Sequence, residues 1–148
     1  METLNTLISR HSVRTYTGEA LSSSDLEKIL KAANAAPVGQ AEGKHPTYNV
    51  PTLIFVSSKK QNPKFAGMMV SSAAMAAHNM VLEATDLGLG ACYLWGVLAA
   101  VSNTPDLLAK LNLPEGHELL AAIGVGPTSE TYEAREIPAD RISVNVIE

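Results

Sequence analysis

The sequence predicts an α+β protein, a sheet packed on helices. Two observations carry that prediction. Apolar, β-favouring runs at 52–56, 91–94 and 118–125 alternate with helical stretches. Hydrophobic residues make up 46% and charged residues 18%, enough apolar material to fill a core.

Each element has its own signal. Residues 2–10 carry Leu4, Leu7 and Ile8 on one side, the spacing of a short amphipathic helix. It stops at the polar, basic run Arg10-His11-Ser12-Val13-Arg14, and Thr17-Gly18 reads as a turn. A second helix starts near 22–24. Ser24 and Glu27 fit a capping box, with Ser22 and Ser23 as alternative caps. Leu26, Ile29, Leu30 and Ala33 form its apolar stripe, and it ends before Pro37. Residues 38–46 are a loop.

The run at 52–56 reads as a buried strand. After a polar turn at 59–63, a long Ala- and Met-rich helix spans about 65–87. It is apolar on nearly all sides, which predicts burial all round: a central helix, or one that faces a second subunit. Gly88-Leu89-Gly90 ends it, and 91–94 is a short strand. Gly96 opens an irregular region that leads to a helix at 105–111, with Pro105 suited to its first turn. The cluster at 112–116 is a turn, and 118–125 is an apolar strand closed by Gly126-Pro127. Alternation at 142–147 predicts a C-terminal strand.

The 148 residues are expected to form one domain, 1–148. A chain this short has little room to enclose a large cofactor by itself. The net charge of −4 opposes binding to phosphate backbones, so no nucleic-acid partner is expected. One cysteine, Cys92, excludes an internal disulfide and any multi-cysteine metal site; on its strand it reads as a buried, inert thiol. No basic-then-apolar leader follows Met1, and no apolar run approaches the roughly 18 residues that span a bilayer. The expectation is a cytoplasmic protein without a membrane partner.

The candidate chemistry is sparse. Arg10, Ser12 and Arg14 can offer guanidinium forks and a hydroxyl to a phosphate. The alternative is a basic helix end that complements the helix dipole. Gly88-Leu89-Gly90 follows a helix, and Gly124-Val125-Gly126 lacks the third glycine, so neither makes a dinucleotide fingerprint. His11, His45, His78 and His117 are scattered without metal-ligand spacing, and His78 reads as a hydrogen-bonded core histidine. No acid, base or nucleophile stands out, which points to a cofactor as the source of reactivity. No catalytic side chain and no metal ligand is therefore assigned.

The run from Ile8 to Tyr16, ISRHSVRTY, resembles the amino-terminal signature of the FMN-dependent nitroreductases. The likeness continues through Ala36-Pro37 and its loop, Asn79-Met80-Val81-Leu82-Glu83-Ala84, Leu87-Gly88-Leu89-Gly90, Leu111-Asn112-Leu113-Pro114-Glu115-Gly116 and Ile123-Gly124-Val125-Gly126. It implies a nitroreductase-like α+β fold, a central mixed or antiparallel sheet flanked by helices, in an intertwined homodimer with FMN at the subunit interface. It also implies that Arg10, His11, Ser12 and Arg14 hold the FMN phosphate and ribityl chain, joined by Arg135, with Arg141 as second candidate. Pro37, Val38, Gly39 and Gln40 would approach the flavin from the partner subunit. Leu94, Trp95 and Gly96 would lie along the ring, with the Gly96 N–H near N5, and Asn79 would reach the pyrimidine side. The implied activity is ping-pong reduction of nitroaromatic or quinone-like acceptors by NAD(P)H. Alternatives are a flavin- or nucleotide-binding homodimer without turnover, a reductive dehalogenase-like flavoenzyme, and a structural dimer whose basic cluster is only a helix end.

Overall fold

The computed structural model describes residues 3–9, 22–36, 47–132, 137–138, 140 and 142–145. Its elements run α1 (Thr3–Ser9), α2 (Ser23–Asn34), β1 (Thr52–Lys59), α3 (Pro63–Asp86), β2 (Gly90–Tyr93), α4 (Trp95–Ser102), α5 (Pro105–Lys110) and β3 (His117–Gly126). The chain divides into two compact units. One comprises Met1–Ser9 and Gly39–Tyr132, the other Arg10–Val38 and Glu133–Glu148.

The larger unit is built on an antiparallel sheet of order β1-β3-β2. The last strand among the described residues is therefore the central one. Ile123 pairs with Ile54 on one side and Tyr93 on the other. A register shift between Val56 and Ser57 marks an irregularity in β1. Helix α3 packs across all three strands, and α4 packs on β3. Leu94, Val97, Leu98 and Ala122 form the core cluster, with Val50, Phe55, Val101 and Leu119 against it. Ile123 is fully buried.

Glycines on β3 admit close neighbours. A Cβ at Gly124 would lie 2.7 Å from Cγ1 of Val50 and 3.0 Å from Cδ1 of Leu94. A Cβ at Gly126 would meet the Pro51 ring. Sheet and preceding turn thus approach at a distance only glycine permits.

Helix α3 begins with Pro63 at its first turn and an Asn62 cap, whose Oδ1 accepts the Lys64 N–H at 3.0 Å. Leu87 caps its far end and Gly88 follows at φ +72°. Burial all round is not what the structure shows. Only Ala73, Ala77 and Ala84 are buried, a single stripe facing the sheet. Phe65, Met68, Val70, Met75 and Leu82 are exposed in the single chain. A domain this small covers one side of the helix. By length and composition α3, at 24 residues, is also long and apolar enough to cross a bilayer, a property that core helices share. Scattered Ser, Gly, His and Asn residues interrupt its apolar runs, so a search for one continuous run passes over it.

Two further readings change. Residues read as irregular after Gly96 form α4, whose sequence WGVLAAVS has no polar face to give it a helical period, and whose N-cap, Leu94, makes no side-chain capping bond. The predicted C-terminal strand is not formed by residues 142–145. There the Ile142 N–H donates to Oδ1 of Asn34 at 3.1 Å instead of to a strand carbonyl. Residues 146–147 lie outside the described residues.

That bond belongs to the smaller unit, where α2 is capped by Ser22, not Ser24. Ser22 Oγ accepts the Asp25 N–H at 3.1 Å and donates to the Asp25 carboxylate at 2.7 Å. Asn34, at the other end of α2, is buried, and Ile142 supplies its hydrogen-bond donor.

Replacing Gly124 by Ala forces Val50 and Leu94 apart. The expected loss is about 1–3 kcal/mol, the usual scale of overpacking, read as a lower urea midpoint with unchanged slope. A variant as stable as the parent would show that this contact is not tight.

Candidate functional site

The described candidates meet where β2 runs into α4. Tyr93 is the last residue of β2, Leu94 the cap position, and Trp95 and Gly96 open the helix. Leu94 is seated in the core, 2% exposed, and its N–H donates to the Ala122 carbonyl at 2.9 Å. Its carbonyl accepts the Leu98 N–H at 3.0 Å. Val97 and Leu98 are buried behind it. Trp95 therefore stands outward on a rigid seat, 73% exposed.

Three properties of this junction matter chemically. The first N–H groups of α4 lie outside its own hydrogen-bond ladder and receive no side-chain cap among the described residues, so there they are available as donors. Apart from its chain neighbours and its own helix backbone, Gly96 has no described atom within 4 Å of where a Cβ would stand, so its surroundings among the described residues are open. The helix contributes no charged side chain. Together these would accommodate a flat, uncharged ring system that carries acceptor atoms.

Helix α3 supports the junction from the side. His78 Nδ1 and the Tyr93 hydroxyl are 2.6 Å apart, and the rings stack at 15° with centroids 6.4 Å apart. His78 makes a hydrogen bond as expected, but it is exposed and not a core residue. Asn79 follows it, exposed, with no hydrogen-bond partner among the described residues. The structure thus brings the neighbours of Asn79 and Leu94 together, with no hydrogen bond from Asn79 to residues 94–96. One turn on, Oε2 of Glu83 is buried with no hydrogen-bond partner among the described residues.

The other predicted residues lie outside the described ones: Arg10, His11, Ser12, Arg14, Pro37, Val38, Gly39, Gln40 and Arg135, and the second candidate Arg141. Among the described residues, no group of three His, Cys, Asp or Glu side chains could hold a metal ion.

Sequence reasoning passed over a cavity of about 500 Å3 beside the sheet. It lies between the turn at Tyr48 and Asn49, the start of β2, and the segment after β3 that ends at Tyr132. Tyr48 and Asn49 both have positive φ, 48° and 58°. Two successive non-glycine residues in the left-handed region are uncommon, and nothing in the sequence flags them. Tyr132 closes the cavity by donating its hydroxyl proton to the Leu89 carbonyl at 2.5 Å. Among the described residues its lining includes Glu130 but no Lys or Arg.

Cys92 also lines this cavity and is exposed, not buried as its apolar neighbours predicted. It sits on a strand that, among the described residues, has a neighbour on one flank only. Partial desolvation still pushes its thiol above the ordinary value and does the same to the Tyr93 phenol.

With the fold and junction described, the chain can be compared with known proteins. The model of the nitroreductase family matches residues 39–127. An Archaeoglobus fulgidus protein, provisionally named NADH dehydrogenase/NAD(P)H nitroreductase, is 28% identical, with 90% of this chain and 91% of that protein covered. The crystal structure of a Bacteroides fragilis nitroreductase with bound FMN is similar at a TM-score of 0.54 and 24% identity, with 97% and 98% of the two chains covered. A Desulfitobacterium hafniense nitroreductase with bound FMN has a TM-score of 0.55 at 19% identity, over 97% and 98%. The chain belongs to the nitroreductase family, and its α+β architecture is the nitroreductase fold.

The raised thiol of Cys92 predicts a pH profile. At neutral pH, iodoacetamide should alkylate Cys92 more slowly than a free cysteine, and its rate should climb at higher pH than the free thiol's. The sign for stability follows. A raised folded value favours the protonated thiol, so its contribution is present below the unfolded value and is lost as pH rises through the folded one. An alkylation profile that overlays free cysteine would contradict this assignment.

Proposed function

We propose that the protein is an FMN-dependent oxidoreductase that uses NAD(P)H to reduce nitroaromatic or quinone-like acceptors. The observation that carries this reading is the β2–α4 junction, with open space at Gly96, uncapped backbone donors and no charge, in a chain of the nitroreductase family. The names of its relatives, an NAD(P)H nitroreductase and two nitroreductases with bound FMN, support the cofactor and co-substrate.

The residues fit such a cofactor. Leu94, Trp95 and Gly96 would hold the isoalloxazine ring, the Gly96 N–H serving as donor toward N5, with Asn79 a further polar contact. Arg10, His11, Ser12 and Arg14 would hold the phosphate and ribityl chain, with Arg135, or in second place Arg141, as a further cation. Pro37, Val38, Gly39 and Gln40 would reach the ring of a second subunit's cofactor. Bound FMN would supply hydride acceptance and donation. The chain's own part is to seat Leu94 rigidly, present backbone donors where negative charge develops, and keep charged side chains away from the ring. A nicotinamide and an acceptor using one open face in turn gives ping-pong kinetics.

The homodimer belongs to the same proposal. Its support is the exposed side of α3, where Met68 is 60% and Met75 61% exposed. Contiguous apolar surface of this kind marks an interface. A second subunit there also accounts for the length and apolarity of α3 without a bilayer, which favours a cytoplasmic enzyme. We take residues 1–148 as one domain, in line with relatives that cover 90% and 97% of it.

The purified protein should be yellow, or become so with FMN, and should oxidise NADH or NADPH in the presence of menadione with parallel double-reciprocal plots. Arg10→Ala and Arg14→Ala should each weaken FMN binding about ten- to hundredfold, the scale of a charged hydrogen bond. A protein that stays colourless with excess FMN would refute the proposal.

A further inference from the structure

Trp95 is the single tryptophan of the chain and the most exposed of its large hydrophobic side chains among the described residues. That exposure does not come from a loose loop. Leu94 before it and Val97 and Leu98 after it are buried, and backbone bonds pin Leu94 to β3 and to the first turn of α4. The indole is thus a large flat surface held out on a fixed mount. Its Nε1–H has no hydrogen-bond partner among the described residues. Gly96, one residue on, leaves the neighbouring space open among the described residues. No residue of α4 is charged, so the helix itself offers a charged acceptor group no counter-ion.

An exposed indole binds by stacking, and stacking grows with overlap. A single six-membered ring covers part of an indole, whereas a fused bicyclic ring matches its area. We propose that Trp95 sets acceptor specificity, its indole acting as a stacking platform that selects uncharged, fused-ring aromatic acceptors of the naphthoquinone or bicyclic nitroarene class over single-ring ones. The inference rests on the reading that the flavin ring lies along the backbone of residues 94–96, which leaves the Trp95 indole to the acceptor, and adds to it a choice of substrate.

Because Trp95 is the sole tryptophan, binding can be read without turnover. Oxidised, FMN-replete protein, with no NAD(P)H present, is titrated with menadione and with p-benzoquinone while indole emission is followed. Saturable quenching is expected with menadione, at a dissociation constant about tenfold below that of p-benzoquinone. In steady state at saturating FMN, Trp95→Ala should lower the menadione-to-benzoquinone ratio of kcat/KM about five- to twentyfold, chiefly through KM for menadione. Trp95→Phe, which keeps a ring to stack on, should retain the ratio to within about threefold.

The inference is overturned if menadione quenches only linearly, without saturation, or if Trp95→Ala changes both quinones by the same factor. It is also overturned if that variant alters the sedimentation coefficient, since the indole would then be an interface residue. Failure of the flavin reading looks different: the wild-type protein takes up no FMN, and the inference falls with it before any variant is made.

Discussion

The architecture depends on the approach of other chain segments to β3. That strand is last among the described ones and central in their sheet, so it takes β1 and β2 on its edges and α3 and α4 on its faces. Small residues make this possible. Ala122 and Gly124 leave room for Leu94 and Val50, and Gly126 leaves room for Pro51. A side chain at either glycine would separate the sheet from the turn before β1. The candidate site inherits its rigidity from this contact. Leu94 is locked between β3 and α4, and Trp95 and Gly96 project from that lock.

A second constraint is the unequal covering of α3. Its alanine stripe is satisfied by the sheet, while Phe65, Met68, Met75 and Leu82 remain exposed. The described elements that pack on this 24-residue helix, the sheet and α1, leave those side chains uncovered. The surface that covers the outer side and the cofactor that would occupy the α4 junction are thus two aspects of one proposal. The fold offers a framework that a second subunit would complete.

Much of this was legible in the sequence, and the gaps have physical causes. Strands at 52–56, 91–94 and 118–125 were found because β-branched and aliphatic runs are bounded by turn residues. Helix α4 was missed because an all-apolar octapeptide with a glycine at its second position has neither helical period nor cap. The strand expected from alternation at 142–147 did not form in the described part, because a period of two proposes a strand but does not supply a neighbour. Cys92 was placed inside on the strength of its apolar neighbours, but among the described residues β2 has a neighbour on one flank only, and strand order cannot be read from local pattern. At the site, residues 94–96 were singled out by family likeness. The His78–Tyr93 contact, the left-handed pair Tyr48 and Asn49, and the cavity they border had no sequence signal, since each depends on segments distant along the chain.

The sequence by itself determined the α+β class, the position of most elements and the family, because local periodicity, turn residues and ordered motifs are properties of short stretches. The tertiary structure alone decided that β3 is central, which side of α3 is covered, and that Trp95 stands exposed on a buried mount. Those outcomes follow from which surfaces meet, and a surface acquires its neighbours only when the chain has folded.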